Sequence, residues 1–356
     1  MVESSTPPPE GGGPVPRLGR PRDWLIGAAL LVALVVAVWM TIGWDVLLAP
    51  WRSISPFLLL GAFVLTALSY GLRALRVVAY FRPRFDGCFP TVLRLSVLHN
   101  SANNLLPMRA GELVFPWLMR RYFGQGWLDS AASLLWIRVL DLHFLGLIGL
   151  AILALRDPSR LWLWLPLGAL WLLGLALFVP LRRALDRRVP PSGQGGVTRV
   201  LALLRQIACA APARPGRIAS VYLWTALVWS LKFTAFAILL EHFMPVAFWR
   251  VLTGVMGAEL STVLPFHGIA GSGSYELAVV AALAPFGVDP KLALAGAVNL
   301  HLFLLGTTLI LGALALLLPR VSPCAAPRPG RDRDPGQTLT ESSAAADVGD
   351  ARGGTN

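Results

Sequence analysis

Seven ionisable residues stand among long apolar runs: Arg109, Glu112, Arg138, Asp141, Lys232, Glu259 and Glu276. A charge at membrane depth costs about 2.5–3.5 kcal/mol on insertion scales, so each is a candidate for function rather than packing. Three are basic and four acidic, and buried charges need partners. Arg138 and Asp141 lie three apart on one helix face and can pair with each other. Asp141 and Lys232, each near the middle of its apolar run, can instead meet across the molecule. Lys232 is too deep to reach an interface easily, which places it in a central cavity or in a structural ion pair.

Four of these charges flank two interruptions of similar design. The first reads Asn103-Asn104-Leu105-Leu106-Pro107-Met108-Arg109-Ala110-Gly111-Glu112; the second runs from Glu259 through Leu264-Pro265 and Gly271-Ser272-Gly273-Ser274-Tyr275 to Glu276. Each has Leu-Pro, then Gly, then Glu opening a fresh apolar run. Proline ends the entering half-helix and glycine permits the turn. The chemistry this suits is anion binding. Arg109 offers forked donors to a phosphate, and a half-helix beginning near Ala110 adds backbone N–H groups. Asn103, Asn104, Gly271, Gly273, Ser274 and Glu276 belong to the same headgroup-binding surface, with Ser272 or Ser274 as a cap. Glu112 holds Arg109 or meets a cationic headgroup. The competing reading of Arg109 and Glu112 is an ordinary interfacial turn. Asn299 and His301 join Arg138, Asp141, Lys232 and Glu259 in a midplane network. The glycines lack the Gly-Lys-Ser/Thr of a P-loop, and no metal-ligand spacing or nucleophile elbow occurs. No cofactor, no metal and no catalytic residue is therefore expected.

The elements that position these residues follow from composition. Of 356 residues, 55% are hydrophobic and only 14% charged, against about 25% charged in soluble domains. That excludes a soluble enzyme and predicts an all-α polytopic membrane protein. The net charge of +12 comes largely from arginines between apolar runs. Positive charge in that position orients spans and does not argue for nucleic acid. Six full spans are predicted, at about Trp24–Trp44, Ile54–Phe81, Ser130–Leu155, Leu161–Pro180, Ser220–Leu240 and Leu292–Leu318. Arg73 and Arg76, near the end of the second, are expected to snorkel to the interface. The broken stretches 90–121 and 247–287 are either pairs of short spans or, as favoured here, re-entrant helical hairpins, making eight membrane segments in all. Residues 1–22 and 319–356 read as disordered tails around a 23–318 transmembrane domain.

Residues 181–217 hold eight arginines and one acid, Asp186, so this loop is placed in the cytoplasm. Its 197–210 portion is either an interfacial amphipathic helix or a solvated linker. Counting spans from the loop puts both termini in the cytoplasm of a cell whose cytoplasmic (inner) membrane the chain crosses. Each half, about 23–156 and 157–318, then has three full spans and one broken stretch. Three is odd, so the halves are inverted, the plan on which transporters build midplane sites at broken helices.

The 103–112 motif, Arg138-x-x-Asp141 and the glycine-rich 265–276 loop together resemble the lysylphosphatidylglycerol synthase transmembrane-region family, also called the flippase-like domain family. The resemblance spans about residues 24–318. It implies an integral membrane protein linked to lipid translocation, with membrane lipids as partners. In the multiple peptide resistance factor this domain precedes a soluble aminoacyl transferase; here the chain stops after the sixth span, so synthase activity is expected to be absent. The resulting expectation is a translocator of a phospholipid or polyprenyl-linked lipid headgroup. The alternative is a scaffold that recruits a separately encoded lipid-modifying or envelope-biosynthesis enzyme. An intramembrane lipid-modifying enzyme is the least supported reading. The oligomeric state is left open.

Overall fold

The computed structural model describes residues 21–188, 196–212, 214–262 and 268–317, and every regular element among them is helical. The long helices are α1 (Pro21–Thr41), α3 (Pro56–Phe81), α6 (Trp127–Arg156), α7 (Leu161–Arg188), α9 (Pro215–Phe243) and α12 (Pro290–Leu317). The shorter ones are α2 (Trp44–Ser53), α4 (Phe89–Leu105), α5 (Val114–Phe123), α8 (Gly196–Ala210), α10 (Phe248–Ser261) and α11 (Ser274–Leu283). Pro56 and Pro215 open α3 and α9, where a missing N–H costs nothing. Helix α1 begins at Pro21, inside the segment expected to be a tail. The remainder of both tails lies outside the described residues.

Among the described residues, seven stretches are long and apolar enough to cross a membrane. Six are the expected spans, now α1, α3, α6, α7, α9 and α12. The seventh, Ile269–Phe286, is the second part of the second broken stretch. It is not one regular helix. Ala270 has φ 55°, and α11 itself has ten residues, about 15 Å long against a hydrocarbon core of about 30 Å.

Both broken stretches fold into helical hairpins. In the first, a 3-10 turn at Pro107–Leu113 joins α4 to α5. In the second, α10 and α11 pack so closely that a Cβ on Gly257 would stand 2.7 Å from the Ala282 Cβ, which only glycine avoids. The two breaks touch each other, the 107–113 turn against the 269–271 turn, and α1 lies over both.

Packing repeats between the halves. Helix α3 crosses α9 along most of their lengths; α4 packs on α12 as α10 packs on α6; α5 packs on α6 as α11 packs on α12. One core lies within the first half, with Val77, Phe85, Leu95, Phe115 and Met119; the larger one is built on Phe236, Leu240, Val255, Val279 and Leu300 of the second half and takes in Ala62 of α3 and Leu145 of α6. Helix α7 departs from the pattern, presenting Trp162, Leu165, Leu170 and Leu177 outward.

Of the two readings of residues 197–210, the structure has the helix, α8. It is docked rather than free: the Trp136 indole donates to the Ile207 carbonyl at 2.6 Å, the Tyr80 hydroxyl to Ala210 at 2.8 Å, and Arg205 pairs with Asp186 at 2.7 Å. Burial pushes the Cys209 thiol up from its ordinary pKa, and its hydrogen bond to the Asp186 carboxylate adds to the effect.

Candidate functional site

Polar residues at helical spacing form stripes that converge where the two hairpin breaks meet. Helix α3 supplies Tyr70, Arg73 and Arg76, three apart along one face; α4 supplies Asn100, Asn103 and Asn104; α6 supplies Arg138 and Asp141; α9 supplies Thr225, Trp229 and Lys232. Helix α10 adds Glu259, α11 adds Tyr275 and Glu276, and α12 adds His301 and Thr308. Most of them line a cavity of about 80 Å³, with Arg76, Asp141, Thr225, Glu276 and Thr308 standing behind its wall.

Asp141 is the hub on one side. It is buried, and its Oδ1 takes the Arg76 guanidinium and the Trp229 indole N–H, the latter at 2.8 Å. Arg76 also donates to the Thr225 hydroxyl at 3.2 Å. Arg138 stands between two carboxylates, 2.9 Å from Glu112 and 3.6 Å from Asp141 Oδ2. The expected Arg138–Asp141 pair thus forms, while the alternative meeting of Asp141 with Lys232 does not. Lys232 binds Glu259 at 2.6 Å and sits over the Trp229 and Phe236 rings at 5.4 and 5.1 Å.

Arg73 and Arg76 do not snorkel. They are 8% and 4% exposed, because α4, α6 and α9 cover the face of α3 that carries them. Arg73 lies over the Trp229 ring at 5.7 Å.

A second cluster closes the tip of the second hairpin. His301 Nδ1 is 2.6 Å from Glu276 Oε1, and Nε2 is 2.8 Å from the Ala270 carbonyl. Both partners are acceptors, so the pair holds a proton between ring and carboxylate. Glu276 Oε2 accepts the Gly273 N–H at 2.8 Å, with Gly273 at φ 84°. The N-terminus of α11, expected to face a phosphate, therefore already carries a carboxylate. Ser274 is likewise engaged, donating to the Gly271 carbonyl at 3.0 Å; Gly271 lines the cavity.

The first motif is placed as follows. Asn104 donates to the Tyr70 hydroxyl at 3.2 Å and to Thr308 at 2.9 Å. Asn103 lines the cavity and bonds His99, whose other nitrogen donates to the Gly111 carbonyl at 3.2 Å. Glu112 holds Arg138. The Arg109 side chain lies outside the described residues, as do residues 263–267.

Asn299 is not in this network. It accepts the Trp51 indole N–H at 2.8 Å and donates to the Leu47 carbonyl at 2.9 Å, tying α12 to α2. His301 points into the cavity and Asn299, two residues earlier, points away, since residues two apart on a helix face different ways.

Sequence reasoning missed Tyr70, Arg73, Arg76, Trp229 and Tyr275. The spacing of Tyr70, Arg73 and Arg76 was a usable signal, since it makes one polar face turned away from lipid. Beside the cavity runs an apolar groove of about 450 Å³ between α6 and the first hairpin, walled by Leu113, Pro116, Leu135 and Leu142. Cavity and groove share Arg138, Trp229 and Thr262 as a common wall. Among the described residues no three His, Cys, Asp or Glu side chains converge as metal ligands.

The profile of the lysylphosphatidylglycerol synthase TM region family matches residues 24–312. No curated protein matches the chain, and no solved structure does.

Proposed function

The chain belongs to the lysylphosphatidylglycerol synthase TM region family and is a multi-pass membrane protein, and on that footing we propose that it moves a phospholipid or polyprenyl-linked lipid headgroup across the membrane without chemically altering it. The observation that carries this reading is the shared wall. A small polar cavity full of fixed charge adjoins a larger apolar groove at Arg138, Trp229 and Thr262. A lipid has that same division, a polar head on an apolar chain. Crossing a hydrocarbon core of about 30 Å unaided leaves a headgroup's polar atoms unsatisfied, at several kcal/mol each. A polar cavity at mid-depth, with chains kept in an apolar groove, lowers that barrier.

The paired packing of the two halves supports an inverted repeat. Three long helices, α6, α7 and α9, separate the hairpins. An odd number of crossings brings them in from opposite sides, and their tips meet. With the arginine-rich 181–217 segment in the cytoplasm of a cytoplasmic membrane, both termini lie inside.

Purified protein in proteoliposomes is expected to transfer headgroup-labelled lipid faster than protein-free liposomes. Glu112→Gln, which releases Arg138, should slow transfer about tenfold or more, the worth of a charge-assisted hydrogen bond. Transfer no faster than in empty liposomes refutes the proposal and leaves the recruiting scaffold as the better reading.

Topology is tested separately with single-thiol variants. Cys209 should react with an impermeant maleimide only from the cytoplasm, at alkaline pH given its raised pKa. Asp289→Cys should react only from outside. A cytoplasmic thiol at position 289 contradicts the inverted repeat.

A further inference from the structure

The charges in the cavity wall do not cancel. Arg73, Arg138 and Lys232 line the cavity, and Arg76 stands behind them on Asp141. Facing these four cations are three carboxylates, Asp141, Glu112 and Glu259. Glu276 is matched by His301. Arginine keeps its charge at any working pH, so the described side chains leave one positive charge over.

That charge is Arg73. Among the described residues it has no carboxylate partner, its Nε has no hydrogen-bond partner, and it is 8% exposed. The Tyr275 hydroxyl lines the same cavity, is as deeply buried, and also lacks a partner. Two buried donors left open are costly unless a ligand completes them. Glu259 Oε1 and Asn103 Oδ1, in the same wall, are open acceptors.

We propose that the cavity is a binding site for a phosphate group with one negative charge, the phosphodiester of a lipid whose remaining headgroup substituents are uncharged hydroxyls. Arg73 and the Tyr275 hydroxyl donate to the phosphate oxygens; Glu259 and Asn103 accept from headgroup hydroxyls. A headgroup that also carries a fixed cation, such as an amino-acid ester or a quaternary amine, is disfavoured. Arg138 and Lys232 repel it, and the charges of Glu112, Asp141 and Glu259 are already spent on their own cations. The inference rests on the reading that a lipid headgroup enters this cavity, and it names the class.

The test is equilibrium binding to the purified full chain, by native mass spectrometry, with phosphatidylglycerol, phosphatidylcholine and inorganic phosphate as probes. Phosphatidylglycerol is expected to bind about tenfold or more tightly than phosphatidylcholine, the discrimination one charge-assisted contact supplies. Arg73→Gln should abolish the preference and Tyr275→Phe should reduce it. Arg73→Lys, which keeps the charge should the glutamine variant fail to fold, should retain part of it. Equal binding of the two lipids, or an undiminished preference in Arg73→Gln, overturns the proposal. Inorganic phosphate competing as well as phosphatidylglycerol overturns the lipid assignment in favour of a free-phosphate site. Charge-selective binding without transfer in proteoliposomes removes translocation and leaves this site standing. Transfer indifferent to headgroup charge removes the site's selectivity and leaves translocation standing.

Discussion

Lys232→Met should destabilise the folded protein by about 3–5 kcal/mol and stop lipid transfer. The lysine side chain on α9 is 14% exposed, and its 2.6 Å partner Glu259 is 1% exposed. Truncating the cation leaves that carboxylate charged and alone in the interior, which is where most of the cost arises. Removing both charges, as Lys232→Met with Glu259→Leu, should recover most or all of the stability, since a well-packed apolar pair often equals or exceeds a buried ion pair. Transfer should not recover, because Glu259 and Lys232 both line the cavity. Unfolding in detergent and transfer in proteoliposomes separate the two effects. Wild-type transfer by the double variant would make the pair purely structural.

Asp141→Asn should have the largest effect on stability of any single isosteric change. The carboxylate balances Arg76, faces Arg138 at 3.6 Å and holds the Trp229 indole. The amide keeps the shape but removes the charge, leaving Arg76 unpaired at 4% exposure. The expected loss is again about 3–5 kcal/mol, a large share of the 5–15 kcal/mol typical of a folded domain. Low accumulation in the membrane and a lowered unfolding midpoint are the readouts. Adding Arg76→Met should restore part of the loss. The comparison is Arg82–Asp86, a pair with side chains 64% and 51% exposed. Breaking it should shift stability by about 1 kcal/mol or less, since water screens and solvates both groups.

These two residues show how far local sequence reaches. That Lys232 and Asp141 are functional candidates follows from the chain alone: each interrupts an apolar run, and the cost of burying charge is the same whatever surrounds it. Their partners follow only in part: Arg138, three residues from Asp141, pairs with it as expected, whereas Arg76 and Glu259 come from other helices. Lys232 could be paired on paper with Asp141, and Asp141 with Arg138. Only the packing of α3 and α6 together against α9 brings Arg76 to Asp141, and only the close packing of α10 beside α9 brings Glu259 to Lys232.

The six spans, the two breaks and the basic segment were legible because each depends on a short-range property: length of apolar run, proline and glycine chemistry, or local charge. Arg73 and Arg76 were misread for the opposite reason. Near the end of a helix an arginine either snorkels or is buried, and its own sequence neighbours are the same in both cases. What decides is whether other helices cover that face, and here α4, α6 and α9 do. Asn299 and His301 make the same point over two residues. Both are polar in an apolar helix; one reaches Trp51 of α2 and the other the cavity. Helical rotation separates them, and the identity of the helix met on each side is a property of the tertiary fold. The excess charge at Arg73 is of this kind too. Composition counts charges over the whole chain, whereas the balance that selects a ligand is struck only among the few that the fold assembles around one cavity.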